Sequence, residues 1–429
     1  MKLLILFFLI FYSTTLKGRV WDLVSIVETA NRTSEKIKQS NAEAHAIRED
    51  RQASRSLFLP SFDINTKWDR AKETLSRSQD DKVSNNLYRG ILRQRLFSPK
   101  SMYLMNTNTA KSESFNLKVK NQVYSFQADT VQLYLDLLHL ESLMNQLNHS
   151  YETIEKEKHQ TTRKVRSGIL TRTAVDELGV RLAEIALKRN DTARKLDILI
   201  LVLQERLGQR FQEIKPLRKG FEISSIVTPS FEEDLAKLHQ SNPKVIQAAS
   251  DVRLRKAEAQ EEKSEILPEV AGFVELSHIS SDSLQDSKQI SAGIELKWSI
   301  LSGGSSFHKT AAAKKREVAA GHRYRESLKE EKLHLRTAVA HINRCKSHVE
   351  FLQEKSKYLN NMVIAEYKRH KGGVGEFSNY IKKKAELQDS QLEITVEKFD
   401  CLSAYIKYVR HSGNLGMQKI KDINQAWFE

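Results

Sequence analysis

His334, His341 and His348 recur every seven residues. Imidazole is a common metal ligand, but on one helix a seven-residue step stacks these side chains about 10.5 Å apart, too far to share an ion. The spacing reads as a solvated heptad stripe, unless equivalents from several copies of the chain meet in a ring. Cys345 and Cys401 lie at nearly equal distances on either side of the glycines at 372–375. An antiparallel helical pair would hold them at one height, either bonded as a disulfide or as small buried packers. The glycines of LSGGSSF (301–307) fit a strand-to-helix bend better than a phosphate cradle. The sequence has no His-Glu-x-x-His, Walker loop, nucleophile elbow or Cys-x-x-Cys. No catalytic residue, metal ligand or cofactor is therefore expected, and the chain reads as a non-enzyme.

The more regular signal is a two-residue alternation. In LPSFDINTKWD (59–69), Phe62, Ile64, Thr66 and Trp68 share one face of a strand, and Asp63, Asn65, Lys67 and Asp69 the other. Three further stretches follow suit. Tyr88, Leu92 and Leu96 oppose Arg89, Arg93 and Arg95; Val270, Val274 and Leu276 oppose Ala271, Phe273, Glu275 and Ser277; Ile294, Leu296 and Trp298 oppose Glu295, Lys297 and Ser299. The expected strands, about 60–69, 87–97, 268–278 and 290–301, are long enough for a tilted bilayer crossing. Aromatic residues fall at both ends, Trp68 and Tyr88 near the loops and Phe58, Phe97 and Trp298 opposite, as interfacial girdles would. On that reading Phe62, Ile64, Trp68, Leu92, Val274, Ile294, Leu296 and Trp298 face lipid, while Asp63, Lys67, Arg89, Arg93, Glu295 and Lys297 face a water-filled lumen. Two ordinary hairpins on a soluble core would show the same alternation. An export leader, matched strand lengths and long polar loops on one side favour the membrane. Four strands cannot close a barrel alone, so strands must be pooled between copies.

The N-terminus, MKLLILFFLIFYSTTLKG, has one lysine before a short apolar run and reads as a signal peptide over 1–18. The chain has 429 residues and a net charge of +15, with its cations spread throughout. For an exported protein that spread suggests affinity for anionic lipid and not for nucleic acid.

The organisation is a duplicated syntax of helix, hairpin, long helix, glycine turn and helix. The first repeat spans 19–208, with a helical hairpin over 100–208 turning at SGILT (167–171). The second spans 242–412, with a helical hairpin over 305–412 turning at GGVGEFS (372–378). An inter-repeat segment, 209–241, and a C-terminal segment, 413–429, complete the chain. None of the six prolines falls within 100–215 or after 268, which permits very long helices. Gly168 and Thr171 are expected to correspond to Gly375 and Ser378.

The order and duplication of these features resemble the TolC-like outer-membrane efflux family, carried by Asn242–Phe273, Leu296–Lys315 and the turn Arg166–Leu178. The resemblance implies a mainly α fold with a transmembrane β-barrel: four strands per subunit in a 12-stranded homotrimeric barrel, and a long periplasmic α-helical tunnel with an equatorial belt from 209–241 and 413–429. It implies an outer-membrane exit duct of a tripartite efflux pump or type I secretion system, working with a periplasmic adaptor and an inner-membrane transporter. The turns would form the periplasmic aperture, involving Gly168, Thr171, Asp176, Gly375, Ser378 and Lys382, Lys383 and Lys384. The family's turn aspartate is replaced by Ala174 and Ile381 on this alignment, so the expected mouth is neutral or cationic, unless the lysines are only a solvated face. A periplasmic coiled-coil adaptor or scaffold without a pore is the competing reading.

Overall fold

A computed structural model describes residues 20–74, 80–218, 220–226, 230–281, 286–300 and 303–428. The expected leader, 1–18, lies outside the described residues, as do 301 and 302 of the glycine bend. In chain order the elements are β1 (Val20–Trp21), α1 (Leu23–Thr33), α2 (Glu35–Ser56), β2 (Ser61–Thr74), β3 (Asp80–Phe97), α3 (Pro99–Arg166) and α4 (Arg172–Leu207). There follow β4 (Glu213–Ile214), a 3-10 turn (Ile223–Ser225), α5 (Phe231–Ser241), α6 (Pro243–Ser264), β5 (Glu269–Ser281), β6 (Ser287–Lys297), α7 (Ser305–Lys371), α8 (Phe377–His411) and α9 (Met417–Phe428).

Proline and asparagine set several of these boundaries. Pro99 and Pro243 occupy the first positions of α3 and α6, where the missing N–H costs no helical bond. Asn242 caps α6, accepting from the N–H groups of Lys244 at 3.0 Å and Val245 at 3.2 Å. The proline-free stretches are single helices of 68 and 67 residues.

The chain divides into two compact units. One, Lys36–Gln122 with Asn242–Glu330, holds a four-stranded antiparallel sheet in the order β2-β3-β5-β6. The β3–β5 pairing joins the hairpins of the two repeats edge to edge. β2 and β3 extend further toward their loop than the alternation indicates, pairing as far as Thr74 with Asp80. Backbone pairing in a hairpin continues without apolar side chains, so the apolar pattern ends before the ladder does. β6 stops at Lys297, short of the expected 301, and Gly303 and Gly304, both at positive φ, turn the chain into α7.

Most buried positions on the helices of this unit are small, among them Ala44, Ser101, Thr107, Ser112, Ser114, Ser250, Ala259, Ala313 and Ala320, with Ile37, Val119 and Val245 the larger exceptions. Small side chains let neighbouring helix axes approach closely, and polar links replace a thick apolar core. Ser114 bonds Asp251, Asn121 donates to Gln247 at 2.9 Å, and Lys244 meets Glu330 at 2.7 Å.

The other unit comprises Val123–Ser241, Glu331–Glu429 and the segment ending at Glu35. Its core is made of large residues, among them Leu23, Ile26, Tyr134, Leu203, Leu402 and Trp427. Around it β1 pairs in parallel with β4, and Asp22 caps α1 by accepting from the Ser25 N–H at 3.0 Å. Burial pushes the Asp22 carboxyl up, but bonds from Ser25 and Asn424 outweigh this and hold it below the usual range. Tyr134 donates to the Lys215 carbonyl at 2.7 Å, and Lys346 to the Ile226 carbonyl at 2.7 Å. The segments at 209–241 and 413–429 are thus tied into the large-residue core.

Cys345 and Cys401 are joined in that core by a disulfide linking α7 to α8, with Cα atoms 5.6 Å apart. Closing a loop of this size contributes about 2–4 kcal/mol by restricting the unfolded chain. We predict that reductant lowers the midpoint of chemical unfolding in the parent protein and has no such effect on the Cys345→Ser/Cys401→Ser variant, measured by tryptophan fluorescence.

Candidate functional site

Directly opposed residues of an antiparallel ladder project to the same face, so the register fixes which side chains share a side. Three rows cross all four strands. The first is Phe62, Leu92, Val274 and Ala292; the second Ile64, Gly90, Leu276 and Ile290; the third Thr66, Tyr88, His278 and Lys288. Leu296 opposes Val270 and Ile294 opposes Gly272 on the same side. Ile64, Ile294 and Trp68 are 71%, 73% and 69% exposed. Each large apolar side chain left in water forgoes about 1.5–3 kcal/mol, and a patch of this extent marks an interaction surface.

The opposite face is charged. Asp63, Ile91, Glu275 and Ser291 form one row; Arg93 opposes Phe273; Glu295 opposes Ala271; Lys297 opposes Glu269. Arg89 pairs with Glu275 at 3.0 Å and Arg93 with Glu295 at 2.5 Å, while Lys67 lies 3.4 Å from Asp69. The ion pairs run between β3 and β5 and between β3 and β6, which amounts to a polar ladder across the sheet. Phe273 is the aromatic exception: its ring lies over Gly293, where an added Cβ would approach to 3.2 Å.

A bulge at Arg95–Phe97 was not legible in the alternation. Gln94 opposes Gly272 and Arg95 opposes Ala271, but Phe97, not Leu96, opposes Val270. The extra residue shifts the parity, so Phe97 joins the apolar side, and Leu96 also lies against Gly272 there. Polar tips of the aromatics are engaged: Trp68 Nε1 donates to the Tyr88 hydroxyl at 3.4 Å, and Trp298, just beyond β6, donates to the Ile266 carbonyl at 3.1 Å.

The second set of residues lies at the two helical turns. After α3, Gly168 takes φ +74° and the Ile169 N–H bonds the Lys164 carbonyl at 2.9 Å. After α7, Gly373 takes φ +75° and the Val374 N–H bonds the Arg369 carbonyl at 3.0 Å. The left-handed counterpart of Gly168 is therefore Gly373, two residues earlier than the expected Gly375. Likewise Thr171 and Glu376 are the equivalent residues preceding α4 and α8, so Thr171 does not correspond to Ser378. The turn aspartate position then falls on Ala174 and Asn379, and not on Ile381. Glycines at 372, 373 and 375 leave the sequence register ambiguous; the backbone conformation resolves it. Gly375 is required for a different reason: a Cβ there would stand 2.9 Å from the Arg369 Cβ.

Around the turns, side chains tie the helices together. Ser378 donates to Glu177 at 2.9 Å, linking α8 to α4. Lys384 pairs with Glu157 of α3, and Lys383 with Glu386 at 2.8 Å. Lys382 and Asp176 are exposed, and among the described residues neither has an ion-pair partner. Arg181 of α4 contacts Asp389 of α8 at 2.8 Å and Glu184 at 3.0 Å. Burial works against the Arg181 charge, but its bonds to Asp389 and Glu184 raise its pKa. Tyr380 is raised by burial and by the Glu157 charge. Arg181 and Asp389, absent from the sequence-level candidates, have no motif to announce them.

The spaced histidines have separate partners. His334 stacks on His411 at 4.6 Å, His341 lies 3.1 Å from Arg344, and His348 lies 3.2 Å from Glu397. No cluster of three or more metal-ligating side chains occurs among the described residues. No helix among them is long and apolar enough to cross a membrane.

The turn geometry carries a direct test. Gly375→Ala should destabilise the protein by about 1–3 kcal/mol, as overpacking does, whereas Val374→Ala, at an exposed tip, should stay within about 0.5 kcal/mol. Urea unfolding of the two variants checks the difference.

No family model and no curated protein matches the sequence. Solved structures do match. A membrane protein from Pseudomonas aeruginosa aligns with a TM-score of 0.80 at 15% identity, over 92% of this chain and 92% of that one. The CmeC outer membrane channel of Campylobacter jejuni aligns at 0.80 and 14% identity, over 94% and 89%. The open state of the MtrE outer membrane channel of Neisseria gonorrhoeae aligns at 0.76 and 14%, over 92% and 90%. At these identities the likeness is one of fold, and it extends over nearly the whole length of each chain: this protein has the TolC-like fold of outer-membrane channels.

Proposed function

We propose that the chain is the outer-membrane exit duct of an export system and works as a passive conduit. The observation that carries this reading is the sheet, with one largely apolar face, one ion-paired face and, among the described residues, two open edges. Three copies would supply twelve strands, β6 of one copy pairing with β2 of the next, and closure would satisfy every edge group. The apolar rows then meet lipid, and Asp63, Lys67, Arg89, Arg93, Glu295 and Lys297 line a lumen. The long helices continue the duct into the periplasm. There a periplasmic adaptor and an inner-membrane transporter engage it, in a tripartite pump or a type I secretion system. The match to outer membrane channels supports this location and role.

The turns form the periplasmic aperture. With Lys383 and Lys384 each paired to a carboxylate, and Arg369 paired with Glu366 at 3.2 Å, its positive charge comes from Lys382, Lys368 and Lys371. The gate is a loosening of the helices beside the turns, held shut by Arg181–Asp389, Ser378–Glu177 and Lys384–Glu157.

Planar-bilayer recording of the purified protein tests both parts. A heat-modifiable trimer with stable, anion-favouring conductance is expected, and a soluble monomer without channels would refute the duct. Charged hydrogen bonds contribute about 1.5–3 kcal/mol, so Arg181→Ala should raise resting conductance about tenfold or more. Unchanged closure would remove Arg181 from the gate.

A further inference from the structure

The apolar side of the sheet is not uniform. A trough of about 840 Å³ runs along it. Its floor is Gly90, which leaves a gap between Ile64 and Leu276 in their row, and Ala292 is the small member of the next row. Phe62 leans over the gap, 3.6 Å from where a Gly90 Cβ would stand. At the end nearer the hairpin loops the lining becomes polar and cationic, with Thr66, Tyr88, His278 and Lys288 in one row. The His278 ring stacks on Tyr88 at 6.1 Å, its Nδ1 has no hydrogen-bond partner, and no carboxylate pairs with Lys288 among the described residues.

An apolar trough ending in an ammonium with no ion-pair partner among the described residues and a phenol hydroxyl complements one kind of molecule: an acyl chain bearing a phosphate. We propose that the trough is a binding site for a phosphate-bearing membrane lipid. One acyl chain lies along the trough beside the Phe62 ring that covers Gly90, and the headgroup phosphate accepts from Lys288 and the Tyr88 hydroxyl, with the His278 ring stacked on Tyr88. This inference rests on the one part of the duct reading that turns this face to the bilayer and its polar row to the headgroup level. A second copy of the chain is a poorer occupant, because the sheet offers copies its two backbone edges, and among the described residues no carboxylate pairs with Lys288.

The test reconstitutes the full-length protein in nanodiscs containing equal amounts of phosphatidylglycerol and a galactosyl diacylglycerol with the same acyl chains. Lipids retained after mild detergent release are counted by native mass spectrometry. A cation near the membrane surface contributes about a fivefold preference for an anionic lipid, so phosphatidylglycerol should be retained roughly fivefold over the galactolipid. Lys288→Gln/His278→Gln should abolish the preference, and Gly90→Leu, which fills the trough at a site of ordinary backbone geometry, should reduce the retained lipid of both kinds. Equal retention of the two lipids, or a preference that survives Lys288→Gln/His278→Gln, overturns the site. Bilayer conductance of the same parent preparation separates the two readings. Channels without lipid preference overturn the site and leave the duct. Lipid preference without channels supports the site and overturns the duct.

Discussion

An unpaired backbone amide or carbonyl in hydrocarbon costs several kcal/mol, and this sheet ends in two strands, β2 and β6, with no further neighbour among the described residues. That cost, set against an apolar face that water also disfavours, constrains the rest of the design. The face requires an oily environment, and the edges forbid the sheet from entering one alone. In the proposed duct, association of copies through the edges resolves both demands together. The charged face follows from the same closure, since a barrel of twelve strands is too wide for side chains to fill and its interior must be stable when wet. Arg89–Glu275 and Arg93–Glu295 suit such an interior, where solvated cross-strand pairs order the wall without needing a dry core.

The two units answer different packing problems. In the sheet-bearing unit the helices bury serine, threonine and alanine and are linked by polar pairs such as Lys244–Glu330. With mostly small residues at these contacts, close approach of the helices takes the place of volume. In the other unit the short elements at 209–241 and 413–429 add a second layer, and Tyr134, Trp427 and Phe428 become fully useful as core. The disulfide sits in this large-residue core, between α7 and α8, and the ties that we assign to the gate lie beyond it toward the turns.

Much of this was legible in the residues. Alternation placed Phe62, Ile64, Leu92, Val274, Ile294 and Leu296 on one side and Asp63, Arg93 and Glu295 on the other, because a period of two survives any uncertainty about strand ends. The absence of proline from 100–215 and after 268 left room for the long helices α3 and α7. What escaped had local or long-range causes. The bulge before Phe97 needs one extra residue and leaves no compositional trace. Three glycines within four positions made Gly375 look like the partner of Gly168, while the left-handed conformation belongs to Gly373. Arg181 and Asp389 are separated by some two hundred positions, and a tie of that span appears only when the helices are packed. The trough escaped for a similar reason: Gly90 looks like a weak point in a strand until its row shows the gap it opens between Ile64 and Leu276.

In the proposed duct, adjacent residues of one strand meet different solvents. Spin labels placed singly at 292 through 297 of the reconstituted protein, read by electron paramagnetic resonance with oxygen and a water-soluble nickel chelate, measure this directly. Oxygen accessibility should peak at 292, 294 and 296 and nickel accessibility at 293, 295 and 297. Accessibilities without a two-residue period, or nickel-accessible labels at both 294 and 296, would contradict it.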